Sequence, residues 1–204
     1  MATIDIIYTP RGVNGLTTYQ ETGITLPASS QLSWSDVMDD LFSTSGAGAL
    51  EFRGHQLAVT SRTSTPGADN GSYGQGIPPI QPEQVLRAGA TASTTMGGLE
   101  ESEAFRTNLG LCEIWGESAT VRVTVFDAAM VELGFQDTQL RPYENTQINQ
   151  VAKTVAGAST LSNGVVEVTV TGGDGRIGAY LSVVDNATGD PTFIAIAPQS
   201  PAGG

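Results

Sequence analysis

The sequence predicts an all-β protein built as two tandem β-sandwich modules with short helical turns, the first lacking its opening strand. Three observations lead there. Gly (25) and Pro (10) are frequent while charged residues make up only 15% of the chain, with Lys153 the single lysine. That balance suits strands and turns better than helices. Apolar residues fall in short, regularly spaced runs of period two, which a disordered chain would not keep. Finally, ATVRVTVF at Ala119–Phe126 has a twin, ATIDIIY, at Ala2–Tyr8, whereas Phe105–Trp115, just ahead of the former, has no twin ahead of the latter.

In the first copy, Thr3–Tyr8 sets Ile4, Ile6 and Tyr8 on one face and Asp5, Ile7 and Thr9 on the other, as a half-buried strand does. Pro10–Gly15 carries turn chemistry ending in Asn14-Gly15, and Thr17–Leu26 returns as a strand stopped by Pro27. Ser33–Asp36 can cap a short helix over Asp36–Phe42, whose Val37, Met38, Leu41 and Phe42 share a face. Ala49–Arg53 and Leu57–Arg62 follow as strands around a Gly54–Gln56 turn, with a loop over Pro66–Gly76.

The second copy repeats this order. Thr120–Phe126 points Val121, Val123 and Val125 inward, and Leu133–Leu140 runs back to Pro142 as Leu26 runs to Pro27. Gln147–Asn149 matches Gln31–Ser33 and leads to a helical turn near Val151–Val155. Val165–Thr171, Arg176–Asp185 and Thr192–Ala197 supply three more strands before a Ser-Pro-Ala-Gly-Gly tail. Several short strands between turn signals point to a sandwich for each copy. The domains expected are 1–79 for the first module, 80–103 for a linker with an edge strand near Thr91–Met96, and 104–204 for the second module.

A sandwich short of one strand leaves backbone groups unpaired and apolar surface wet. Exposing roughly 300 Å² of it costs about 7 kcal/mol, comparable to the stability of a whole domain. Another chain supplies the strand by strand complementation, or the strand belongs to the natural chain and is missing here, or the fold starts differently. Head-to-tail filling makes filaments when the rotation does not close. The residues expected at that interface are Ile4, Ile6 and Tyr8.

The net charge of −12 divides into −4 over residues 1–92 and −8 over 93–204. Such a surface repels phosphate and argues against nucleic acid and anionic membrane as partners. No run approaches a membrane span, and no basic-then-apolar leader follows Met1. Cys112 cannot pair within the chain and sits in the apolar run Leu109–Ile114, as a small core residue would.

Motif by motif, the sequence offers no catalytic, cofactor-binding or metal-binding set. Gly173-x-Gly175-x-x-Gly178 matches a dinucleotide fingerprint but precedes a strand rather than a helix, so a hairpin turn is expected. His55, the single histidine, lies in a turn with no nucleophile elbow elsewhere. Asp174, Asp185, Asn186 and Asp190 could offer oxygens to calcium, yet the spacing is that of ordinary turns. Asp36, Asp39 and Asp40 suit a helix start. Trp34, Trp115, Tyr73 and Tyr143 could stack on sugars but do not cluster in sequence.

FRTNLGL at 105–111, the strand at 119–127, Gln147–Asn149 and SVVDNATGDPTF at 182–193 give the chain a likeness. With YTPRG at 8–12 and SRTSTPG at 61–67 in the first copy, it resembles the tandem immunoglobulin-like modules of long, uncharacterised secreted bacterial proteins. The likeness covers nearly the whole chain and transfers no catalytic residue. Members usually open both modules with an FRT-type strand, and this chain lacks it in the first. The resemblance implies an extracellular or cell-surface setting and a structural or adhesive role.

The function expected is therefore a non-enzymatic extracellular structural or adhesive protein, forming a homo-oligomer or filament through sheet edges. The alternative is a substrate- or cell-wall-binding accessory module of a larger secreted hydrolase.

Overall fold

Alternating Ile4, Ile6 and Tyr8 build the centre of the N-terminal sheet. In the computed structural model, which describes residues 2–67, 70–89 and 92–196, β1 (Ala2–Pro10) lies between β2 (Gln20–Leu26) and β3 (Gly48–Arg53), antiparallel to both. Ile6 stands opposite Thr22 on one side and Phe52 on the other. Helix α1 (Val37–Phe42) packs at this sheet, with the Phe42 ring 5.7 Å from that of Tyr8. Asp36 caps it by accepting from the backbone N–H groups of Met38 and Asp39, which satisfies donors the first turn leaves free. A hairpin of β4 (Ser61–Pro66) and β5 (Ser72–Ile77) follows.

The C-terminal region is an all-β sandwich of two antiparallel sheets. One holds β6 (Ser93–Glu101), β11 (Leu161–Gly173), β8 (Ala119–Phe126) and β9 (Glu132–Leu140) in that order. The other runs β10 (Asn145–Ile148), β7 (Phe105–Glu113), β12 (Ile177–Asp185) and β13 (Pro191–Ala195). Val121, Val123 and Val125 of β8 pair with Val170, Val168 and Val166 of β11 and meet Leu109, Leu111, Ile177 and Leu181 from the facing sheet in one buried core. Helix α2 (Val151–Ala156) adds Val151 and Ala152 to that core. Removing such side chains from water at roughly 25 cal/mol per Å² is the main force holding the two sheets together.

The two regions share part of their strand order. Strand order β2-β1-β3 matches β9-β8-β11, a short helix precedes both β3 and β11, and β4–β5 matches β12–β13. The C-terminal region has three further strands, β6, β7 and β10: β6 pairs with β11, and β7 lies between β10 and β12.

Several expected boundaries move. The strand expected at Leu57–Arg62 forms instead at Ser61–Pro66, and the loop expected at Pro66–Gly76 gives way to β5 from Ser72. The reason is pairing: Leu57–Thr60 has no ladder partner among the described residues, while Ser61–Pro66 has β5. Within the expected linker, β6 extends to Glu101, and Val85 and Leu86 are buried, Leu86 bridging Ile177. The expected tail and the start of the edge strand at Thr91 lie outside the described residues.

The two regions touch. Gly12 and Gly15 donate from their backbone N–H groups to Asn145 and Pro142 carbonyls, both at 2.8 Å, and Arg141 donates to the Gly12 carbonyl. Gly15 sits so close to Tyr143 that a Cβ there would lie 2.5 Å from that residue's own. Farther along, Gly74 N–H donates to Asp190 Oδ1 at 3.3 Å.

Candidate interface

Ile4, Ile6 and Tyr8, the residues expected at an interface, lie inside the N-terminal sheet. All three are buried, Ile6 completely, and β1 is paired along both edges. A strand with both ladders occupied has no backbone groups left to offer a partner. The open backbone lies elsewhere.

Among the described residues, β3 pairs only with β1, and β4 only with β5. Their C-terminal counterparts carry more: β11 holds β6 on its second edge, and β12 holds β7. The flanks of the N-terminal region show the same shortfall. Gln31–Ser33, which matches Gln147–Asn149 beside β7, forms no strand, and Leu32 is 44% exposed against 8% for Ile148. Leu50 and Phe52 of β3 remain half-buried, whereas Val166 and Val168 at the matching places of β11 are fully buried. Leu57 and Val59 are half-buried and outside any strand.

Nearby charge is already paired. Arg53 meets Glu51 with Nε to Oε1 at 2.7 Å and Nη2 to Oε2 at 3.1 Å, a contact that raises the Arg53 pKa. Both side chains are exposed, so the pair itself contributes little stability.

Other sequence candidates fall into structural roles. Asp36 is the α1 cap. Asp185 Oδ1 accepts from the N–H groups of Thr188 and Ala187 at 3.0 and 2.7 Å, bonds that hold its carboxyl below the usual range. Asp190 is engaged with Gly74. His55 is exposed in the turn after β3. Gly173 closes β11 at positive φ (84°), Gly175 donates to the Ser118 carbonyl, and Gly178 lies in β12. Of the aromatic four, Trp115 is exposed with the Arg176 guanidinium 3.3 Å from its ring centroid. Tyr143 packs on neighbouring Gly116, while Tyr73 lies on β5 over Gly67. Trp34 is half-buried ahead of α1. Among the described residues, no group of three or more His, Cys, Asp or Glu is placed to hold a metal ion, and no helix is long and apolar enough to cross a membrane.

Sequence reasoning missed Glu113. Its buried carboxylate accepts four backbone N–H bonds, from Trp115 and Arg176 at Oε1 (2.7 and 3.0 Å) and from Gly116 and Tyr143 at Oε2 (both 2.8 Å). The donors come from three separate turns, and a glutamate at the end of an apolar strand was the only sign available.

No family model, curated protein or solved structure matches the chain.

Proposed function

We propose that the protein is a non-enzymatic, extracellular structural or adhesive subunit of immunoglobulin-like modules, joined to its neighbours by strand complementation at the N-terminal region. One observation carries this reading: the β3 and β4 edges are unpaired among the described residues, while the matching C-terminal edges are covered by β6 and β7. Open edges beside half-buried apolar side chains are where chains add strands to one another. The buried ionisable groups support the reading as well. Glu113 ties turns together, and Cys112 has its thiol pushed up to about 12 by burial, which leaves it a poor nucleophile.

Light scattering with negative-stain microscopy across a concentration series tests the proposal. Fibres or rings that grow with concentration, and shorten in Val59→Lys, are the expected result. A compact monomer at every concentration would overturn the assembly.

A further inference from the structure

The region gives a molecular pattern for what its open side takes. In the C-terminal sandwich, β7 pairs with β12 over Ile177–Asp185 and with β10 over Asn145–Ile148. It buries Thr107, Asn108, Leu109, Gly110, Leu111 and Glu113, and of these the alternate Leu109 and Leu111 enter the hydrophobic core. The matching N-terminal segments are Leu57–Pro66 and Gln31–Ser33. Both flanks are present, both carry apolar side chains left partly open, and among the described residues neither has a ladder partner on the side where β7 would lie.

We infer that the N-terminal region binds one extended strand of β7 type, donated by another polypeptide, between Gln31–Ser33 and Leu57–Pro66. The inference rests on the proposed assembly and names its ligand. The donor presents apolar residues at alternate central positions, so that one face covers Leu50, Phe52, Leu57 and Val59 while its backbone pairs with the flanks. Register follows from the alternation, because a slip by one residue turns the apolar face outward. The loss of strand structure at Leu57–Thr60 is then a consequence of the unfilled ladder. Those residues alternate Leu57 and Val59 with Ala58 and Thr60, a strand pattern that needs a partner before it becomes a strand.

The test uses the whole chain and a fluorescent peptide of Phe105–Glu113 sequence with Cys112→Ser. Saturable binding is expected, with half-saturation on the order of 10 µM, and Leu109→Asp in the peptide weakens it at least about tenfold. Hydrogen exchange should show new protection at Gln31–Ser33 and Leu57–Pro66. A second variant carries a copy of Phe105–Ser118 ahead of Ala2, so that the strand and its turn fill the edge from within. It should melt higher and bind no peptide. Equal binding of the Leu109→Asp peptide, protection confined to other segments, or a fused chain with unchanged melting and binding would each overturn the inference. Peptide binding by a chain that stays monomeric at every concentration supports the strand site and overturns self-assembly. Assemblies that excess peptide fails to dissolve keep the assembly and overturn this site.

Discussion

The Asn145 side-chain amide donates to the Thr9 carbonyl at 3.0 Å, linking the first residue of β10 to the end of β1 across 136 residues of sequence. Asn145 is buried, and its own carbonyl accepts from Gly12 N–H at 2.8 Å. One residue therefore serves both directions of the contact between the N-terminal sheet and the C-terminal sandwich. Asn145→Leu removes the donor and leaves the Thr9 carbonyl without it. The expected cost is about 1–2 kcal/mol, or roughly 2–8 °C in Tm for a chain of this size. Calorimetry measures it, and faster exchange at Gly12 N–H would place the loosening at the junction. An unchanged Tm would mean that water replaces the bond without penalty.

Gly15 makes the same junction sensitive to volume. A methyl group there would stand 2.5 Å from Tyr143 Cβ, closer than packed Cβ atoms come, and a tight 3.1 Å from the Tyr143 carbonyl oxygen. Backbone must shift, since neither partner is the free end of a side chain. Gly15→Ala should destabilise by about 1–3 kcal/mol, the usual range for overpacking, whereas the same change at exposed Gly76, where the nearest atom is 4.0 Å away, should cost less than half as much. Paired denaturant melts of the two variants decide the point.

Why the sequence revealed the strands but not these contacts follows from the range of each signal. Val121, Val123 and Val125 declare β8 through spacing alone, and Ile4, Ile6 and Tyr8 do the same for β1. Asp36 declares the start of α1 because a cap lies next to the turn it serves. Strand ends are different. Leu57–Thr60 has the pattern of a strand and lacks the neighbour, so pairing, which is nonlocal, moved β4 to Ser61. The same limit applies to the expectation at Ile4, Ile6 and Tyr8. An unmatched stretch ahead of β1 suggested an open β1 edge, but β7 belongs to the facing sheet beside β12, so the edge it corresponds to is that of β4. Asn145 and Glu113 gave almost no signal, since their partners lie far away in sequence.

Glu101 supplies a pH-dependent prediction. It is 2% exposed at the end of β6, and its Oε2 has no hydrogen-bond partner. Burial raises its pKa above the ordinary carboxyl value, against smaller opposing effects from Thr107, Lys153, Gln150 and Arg106. Burial thus favours the neutral form more in the folded chain than in the unfolded one. As pH rises from the unfolded value near 4.5 through the raised folded value, the unfolded state loses its proton first and stability falls, then levels off. Glu101→Gln cannot ionise, so it should be more stable than the parent at pH 7–8 by about 1 kcal/mol and nearly equal to it below pH 4. Tm measured in steps between pH 3.5 and 8 reads the difference. A constant gap across that range would assign the effect to packing rather than to charge.

Glu113 makes the opposite case, a buried carboxylate whose oxygens are fully engaged. Its four N–H donors belong to Trp115, Gly116, Tyr143 and Arg176, in the turns after β7, before β10 and before β12. Charge-assisted bonds of this kind are about twice as strong as neutral ones, and in Glu113→Ala all four donors lose their acceptor together in a place that water reaches poorly. Buried donors left unmade cost about 1–3 kcal/mol each, though not additively. Glu113→Ala is therefore expected to lose at least about 3 kcal/mol. Glu113→Gln should lose nearly as much, because its NH₂ group would point donors at two of the N–H groups the carboxylate now satisfies. If Glu113→Gln instead melts like the parent chain, two acceptor bonds suffice to hold the three turns and the charge is dispensable. Urea unfolding of both variants, followed by the fluorescence of Trp115 beside Arg176, separates these outcomes.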